Sequence, residues 1–302
     1  NSNTMISVAA LDSIIVDKKN MLVTCGAGAT VSSVLAELQK YGLTLENFSS
    51  IQAQQMGGWT QVSAHGTGVK LPPVDEMIVH MQLATPTEGI LSLSEPDNGH
   101  SLSRDNSVHP EINKTLFRLC KVGLGSLGIV TSLTLKCIPQ LDLVEHTVSK
   151  TRETIHVGHE KRLEEHRHVR YMWIPYSDTV VQVTSNPLPT NVPNGGAIIH
   201  NIRHENDAIP TKALCDLLMK LQPNGNGNGN RDLGEIQKLS FSQLRDELLG
   251  IAPMDTDHVK AVNRAEADFW RRSSGVRIDD STNILGFDCG GEQWVLEVCL
   301  PI

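Results

Sequence analysis

Apolar positions first alternate and then recur at helical spacing, which lays out a run of short elements. Residues 5–9 and 13–16 read as strands, 18–20 as a turn and 21–25 as a third strand. Thr30 stands as a helix N-cap, and Val31, Val34, Leu35 and Leu38 follow on one helical face until Gly42 ends it. The stretch 43–71 repeats at neither 2 nor 3.6 and is rich in Ser, Gln and Gly. A loop of that length inside a globular domain is usually functional. Strands return at 76–84 and 90–93, then a polar surface loop at 95–111, a helix at 115–122 and a strand at 129–136.

A second pattern begins near Leu141. It predicts a strand at 143–148, one charged amphipathic helix at 153–168, and a hairpin of 170–174 and 179–184 around Pro175-Tyr176-Ser177-Asp178. Helices follow at 211–221, 240–249 and 257–272, the last with Asp257 as its cap and Val259, Val262 and Phe269 on one face. The Asn-Gly repeat 224–230 reads as a flexible insert. A final hairpin is expected from 283–288 and 293–298, turning at Gly290-Gly291. The pattern changes near Pro139, which divides the chain into 1–139 and 140–302.

Composition narrows the function classes. The chain has 302 residues, 39% hydrophobic and 20% charged, enough for one large domain or two ordinary ones with a core in each. A net charge of -8 argues against nucleic-acid binding, which needs a basic face. It leaves open a small acidic cofactor held by backbone amides. Cys25, Cys120, Cys137, Cys215, Cys289 and Cys299 are widely spread, with neither a CxxC pair nor a zinc spacing, and read as free buried thiols. No apolar run reaches the roughly 18 residues of a spanning helix. The chain starts at Asn1, close to a strand, and stops at Ile302, directly after a strand-like run, so it reads as an internal portion of a longer protein.

Three motifs invite chemistry. Gly123-Leu124-Gly125-Ser126-Leu127-Gly128 satisfies GxGxxG, but a dinucleotide turn of that kind needs a strand before it and a helix after it. Here the order is reversed, leaving a glycine-rich helix-to-strand turn or a turn that passes beside a cofactor. The second motif runs from Met56-Gly57-Gly58 to Ala64-His65-Gly66-Thr67-Gly68. It concentrates glycine amides with the hydroxyls of Ser63 and Thr67 and the ring of His65, which suits an extended dinucleotide and equally a tight loop with no ligand. Third, His156-x-x-His159 stands at one helical turn, but among Glu, Lys and Arg it reads as a solvated face, and no metal site is expected. Neither a P-loop nor a Gly-x-Ser-x-Gly elbow is present.

The segments Gly42-Leu43-Thr44-Leu45-Glu46-Asn47-Phe48, Gly57-Gly58 and Ala64-His65-Gly66-Thr67-Gly68 resemble the FAD-binding domain of the vanillyl-alcohol-oxidase-type flavoproteins. Leu71-Pro72-Pro73-Val74-Asp75-Glu76 and the 123–128 glycine run are similar to its aldonolactone branch. Leu143-Val144-Glu145-His146-Thr147, Ile174 to Val181 and Phe287 to Val295 are similar to the plant-type L-galactono-1,4-lactone dehydrogenases within that branch.

The resemblance implies an α+β fold: the later part of an FAD-binding domain over 1–139, then the first part of a cap domain that shapes the substrate pocket over 140–302. It implies FAD as cofactor and hydride transfer from a galactono-, gulono- or arabinono-lactone to the flavin N5. It further implies electron transfer to cytochrome c rather than oxygen, a mitochondrial, inner-membrane setting and a respiratory-complex association. By the same resemblance Ser50, Gln55, Gly57, Gly58 and Val62, Ser63, Ala64, His65, Gly66, Thr67 and Gly68 surround FAD, and Ile129 and Val130 approach its flavin or adenine side. Ser49 occupies the position that controls oxygen access, where a side chain bulkier than Gly predicts poor oxygen reactivity; the other reading is a turn-stabilising serine. Cys289 matches a cysteine near the substrate channel, open to inhibitory oxidation or else an inert buried thiol. The family's pyrophosphate-binding loop is expected upstream of Asn1. Its catalytic Glu-x-Arg pair, which stabilises developing negative charge, is expected beyond Ile302, so no catalytic residue is assigned within the chain. An oxygen-using aldonolactone oxidase and a non-catalytic shortened paralogue serving as a scaffold are the competing readings.

Overall fold

A computed structural model describes residues 5–68, 70–94, 110–189, 208–221 and 231–287. Two compact units emerge, and the chain is α+β in both. The first takes Asn1–Leu143 and then Asp279–Phe287; the second takes Val144–Ile278 and Asp288–Ile302.

The first unit is built on a five-stranded sheet. Its strands are β1 (Ile14–Asp17), β2 (Leu22–Gly26), β4 (Ile78–Thr85), β5 (Gly89–Ser94) and β6 (Ile129–Lys136), in the order β1-β2-β6-β4-β5 and antiparallel throughout. Residues 5–13 do not join it as a strand. They run across its end, where Gly26 and Gly28 donate their amides to Ser13 and Leu11 carbonyls (2.9 and 2.8 Å). A short pair, β3 (Leu43–Thr44) with β7 (Ile138–Pro139), closes a separate ribbon.

Helix α1 (Val31–Gln39) begins as its sequence predicts: the Thr30 hydroxyl accepts the Ser33 amide (3.1 Å), and Val31, Val34, Leu35 and Leu38 are buried. Helix α2 (Met56–Gln61) lies inside the stretch expected to be loop. Helix α3 (Pro110–Lys121) leads into β6. Apolar side chains of β2, β4, β6, α1 and α3 make one core with Phe48, Trp59 and Phe117. Cys25, Cys120 and Cys137 are free thiols in it, and burial pushes Cys25 and Cys137 up to about 12. Cys289 and Cys299 lie outside the described residues.

The second unit holds a four-stranded sheet, β11-β8-β10-β9, made by β8 (Asp142–Thr151), β9 (His168–Trp173), β10 (Thr179–Pro187) and β11 (Gly275–Asp280). The β9–β10 hairpin is the expected one. The single helix expected at 153–168 is instead two, α4 (Arg152–Val157) and α5 (His159–Glu165). Gly158 ends the first, and the Arg162 guanidinium folds back over it to the Ile155 carbonyl. His156 and His159 therefore sit on different helices, and His159 turns to the Tyr171 hydroxyl (3.3 Å). His168 starts β9 rather than ending a helix.

Helices α6 (Ala208–Leu221), α7 (Leu233–Ile236), α8 (Phe241–Ile251) and α9 (Thr256–Arg272) share a second core that includes Leu214, Leu244, Leu248, Val262 and a stacked Phe241–Phe269 pair (4.0 Å). The α9 cap is Asp255, whose carboxylate accepts the Asp257 and His258 amides (2.9 Å each), not Asp257. Helix α10 (Ser281–Leu285) occupies the place where the first strand of the final hairpin was expected; the remainder of that hairpin lies outside the described residues.

Two outcomes test this architecture. Asp255→Ala should lower the urea midpoint measurably and Asp257→Ala much less, because only the former removes a cap. Burial, and secondarily Arg167, lowers the His168 pKa from 6.5 to about 4. The unfolded chain then binds a proton between these values that the folded chain does not, so stability present above pH 6.5 is lost as pH falls toward 4. The loss is on the order of 3 kcal/mol. Between those pH values the urea midpoint of His168→Gln should fall less steeply than that of the parent.

Candidate functional site

The polar stretch after β3 is seated on the sheet by backbone hydrogen bonds. Ala27 donates to the Thr131 carbonyl in β6 (3.0 Å) and accepts the Gly57 amide (2.9 Å), while Ala29 accepts the Met56 amide (2.8 Å). The start of α2 is thereby joined to the end of β2 and to the β6 residue next to Val130. At the other side of α2, the Val31 and Ser32 amides, unsatisfied at a helix start, donate to Gln54 and Gln52 carbonyls (3.0 Å each). Gln55 bridges to Thr30 across the same gap.

Helix α2 also determines the turn 123–128. Gln61 at its end donates Nε2 to the Cys120 carbonyl (2.7 Å) and accepts the Gly123 amide (3.2 Å), capping the C-terminus of α3 with a side chain. Leu124 and Gly125 have positive φ (51° and 72°), so this is a helix-to-strand turn, with α3 before it and β6 after it. Gln61 carries no sequence signature for this role, since its partners lie about sixty residues away.

The expected site residues fall around this frame. Ser49 accepts a hydrogen bond from the buried Trp59 indole (2.8 Å) and donates toward Gln54 Oε1 (3.0 Å). Ser50 is half-buried beside it, and Gln55 and Val62 are exposed. Gly57 is buried against Ala27. At Gly58 a Cβ would meet nothing within 4 Å, so this turn of α2 borders open space. Ser63 adopts positive φ (53°) and gives its hydroxyl to Asp75 (2.6 Å), which fixes the turn after α2. Ala64 links Trp59 to Val74 through its amide and carbonyl (3.2 and 2.9 Å). The His65 Nδ1 lies 2.9 Å from the Gly66 carbonyl.

Gly66 packs so tightly on Asn47 that a Cβ would collide with Oδ1. That oxygen is buried and has no hydrogen-bond partner among the described residues, while Asn47 Nδ2 donates to the Pro72 carbonyl (3.1 Å). Thr67 is half-buried, and Gly68 abuts Leu71. Ile129 is 36% exposed, whereas Val130 at 6% turns into the core. Trp59, Asn47, Gln52 and Asp75 also belong to this cluster, without being among the expected site residues; a lone Trp within a glycine-rich polar stretch is the signal that marks the first of them.

An extended dinucleotide fits this arrangement. Gly58 offers a cradle that any side chain would begin to fill, and glycine amides, hydroxyls and an unsatisfied amide oxygen gather around one loop system. Cys289 lies outside the described residues.

Residues 1–94 match the family described as FAD binding domain. Over 304 residues the chain is 40% identical to the mitochondrial L-galactono-1,4-lactone dehydrogenase of Arabidopsis thaliana, covering 98% of this chain and 47% of that protein. It is 26% identical over 194 residues to the L-gulonolactone oxidase of Mus musculus, covering 63% of this chain and 41% of that protein. In fold it is similar to cholesterol oxidase from B. sterolicum, with a TM-score of 0.53 at 16% identity, covering 91% of this chain and 48% of that one. The chain spans about half the length of the curated relatives it matches. With its FAD-binding fold and cofactor class, the chain belongs to the aldonolactone oxidoreductase family typified by the plant L-galactono-1,4-lactone dehydrogenases.

Proposed function

We propose that this protein takes part in FAD-dependent oxidation of an aldono-1,4-lactone, with L-galactono-1,4-lactone as substrate and L-ascorbate as product. The observation that carries the reading is 40% identity to plant enzymes of that name along 98% of the chain, across both units. When bound, FAD supplies the two-electron acceptor for the hydride that leaves the lactone ring. The chain's own part is to hold that cofactor: Ser50, Gln55, Gly57, Gly58 and residues 62–68 line it, and Ile129 offers an outward apolar side chain. Val130, which turns into the core, is left to take part through its backbone. The core behind α2, with Trp59 at 1% exposure, keeps water from its inner side. The second unit is proposed as the start of the cap over the substrate.

The two electrons pass singly to cytochrome c at the mitochondrial inner membrane, in association with a respiratory complex. Ser49 is proposed as the wall that keeps oxygen from the reduced cofactor. Its hydroxyl is held inward by Trp59, so the group is fixed in place rather than free to swing aside. An oxygen-using oxidase is the second reading, favoured by the likeness to L-gulonolactone oxidase.

Purified complete protein should show the flavin absorption band near about 450 nm and reduce cytochrome c on addition of L-galactono-1,4-lactone, with little peroxide. Peroxide as the main product would favour the oxidase; absence of the band would favour a scaffold. Ser49→Gly should raise the rate of oxygen consumption by roughly ten-fold while lactone oxidation by cytochrome c stays within about a factor of two. Gly58→Ala and Gly66→Ala should part company. In the cofactor-free protein Gly58→Ala should leave stability equal or raise it by about 0.5–1 kcal/mol, because alanine is the better helix former and finds open space. It should nonetheless weaken FAD binding in fluorescence titration. Gly66→Ala should destabilise the fold itself by about 1–3 kcal/mol through overpacking on Asn47.

A further inference from the structure

The stretch 49–55 has almost nothing apolar to anchor it. Ile51 is 56% exposed, and Ala53, Gln54 and Gln55 also face outward. Its position rests on polar ties: the α1 amides on Gln52 and Gln54 carbonyls, the Trp59 indole on Ser49, and one side-chain tie to a remote segment. In that last tie Gln52 Nε2 donates to the Thr282 carbonyl in α10 (3.2 Å), 230 residues along the chain.

The remote segment is itself firmly held within the first unit. Asp280 caps α10 by accepting the Thr282 amide (2.7 Å), and its other oxygen accepts from Gln140 Nε2. The Ser281 amide donates to the Leu141 carbonyl (3.1 Å), and Ile284 and Leu285 are buried in the core. Gly286 completes a slot for the Gln52 amide: a Cβ there would collide with Gln52 Nε2 and stand 2.7 Å from the Thr282 carbonyl. A glutamine left to solvent needs no such slot.

We propose that Gln52 is a positioning residue, through which the returning segment Asp279–Phe287 sets where the 49–55 stretch, and with it Ser49, stands against bound FAD. This rests on the reading of Ser49 as the oxygen wall. The donor is an uncharged amide meeting a carbonyl, so the tie holds at any pH at which the unit is folded. Losing it leaves the stretch held by the α1 amides and the Trp59 indole alone, with no tie to the returning segment, and the wall loosens without the core being touched.

The test uses the complete protein with FAD bound. Gln52→Met keeps the length and removes the donor; Gln52→Glu keeps the shape and sets an acceptor against the Thr282 carbonyl. Ser49→Gly serves as reference, alone and combined with Gln52→Met. Three quantities are measured: the FAD dissociation constant by fluorescence, the rate at which oxygen reoxidises the reduced protein, and the thermal midpoint. Both Gln52 variants should reoxidise at least about five-fold faster, with the thermal midpoint lowered by only a few degrees. Adding Gln52→Met to Ser49→Gly should give no further acceleration, because both act on one wall. If Ser49→Gly accelerates reoxidation while both Gln52 variants stay within about a factor of two of the parent, the positioning role is overturned and the wall stands. If Ser49→Gly changes nothing, the wall reading fails and takes this inference with it. A Gln52→Met variant that lowers the thermal midpoint and leaves reoxidation and FAD affinity untouched reduces the tie to a structural one.

Discussion

The arrangement of the first unit depends on one pair of backbone hydrogen bonds, in which Ala27 donates to Thr131 and accepts from Gly57. A strand end, a helix start and the neighbouring strand are tied at one residue whose side chain is a single methyl, 0% exposed. Anything larger at 27 would push α2 off the sheet, since a Cβ at Gly57 would already come within 2.9 Å of the Ala27 methyl. Once α2 is seated, its length delivers Gln61 to the end of α3, and Trp59 to Ser49 on the way. The glycine-rich stretch is thus a derivative of the sheet: Gly57 is small where the backbone touches Ala27, and Gly58 borders open space.

Legibility from sequence follows the range of the interaction that decides each element. The start of helix α1 is legible to the residue, because Thr30 and the Val31–Leu38 stripe are local signals and burial agrees with them. The α9 cap is misread by two positions because Met254-Asp255-Thr256-Asp257 offers two aspartates and sequence alone does not say which carboxylate reaches free amides. Gly158 is visible, yet one glycine in a charged helical pattern is ordinarily tolerated; the break becomes firm only with the Arg162 side chain lying across it. Helix α2 escapes notice because Met56-Gly57-Gly58 has poor intrinsic helix propensity, and its first turn is set by contacts with Ala27 and Ala29 that no local pattern encodes.

The same holds for the site. The glycine-rich segment is conspicuous in sequence, and the likeness to FAD-binding proteins adds what spacing alone leaves open. What the sequence conceals is how each member is held: the Ser63 hydroxyl reaches Asp75, Gly57 packs on Ala27 and Gly66 on Asn47, and a Cβ at Gly58 would meet nothing within 4 Å. Residue type makes the segment conspicuous, and three-dimensional neighbours decide what each side chain in it touches.

Segment Asp279–Phe287 has a further consequence for how the chain is made. It belongs to the first unit but is synthesised only after the whole of the intervening stretch Val144–Ile278 has been produced. At ordinary translation speeds of ~5–20 residues per second, the nascent first unit waits roughly ten seconds for its last pieces. Through that interval the slot destined for Ile284 and Leu285 stands open to water on a growing polypeptide. By the order of its sequence, the first unit can close only after nearly all of the second has been made.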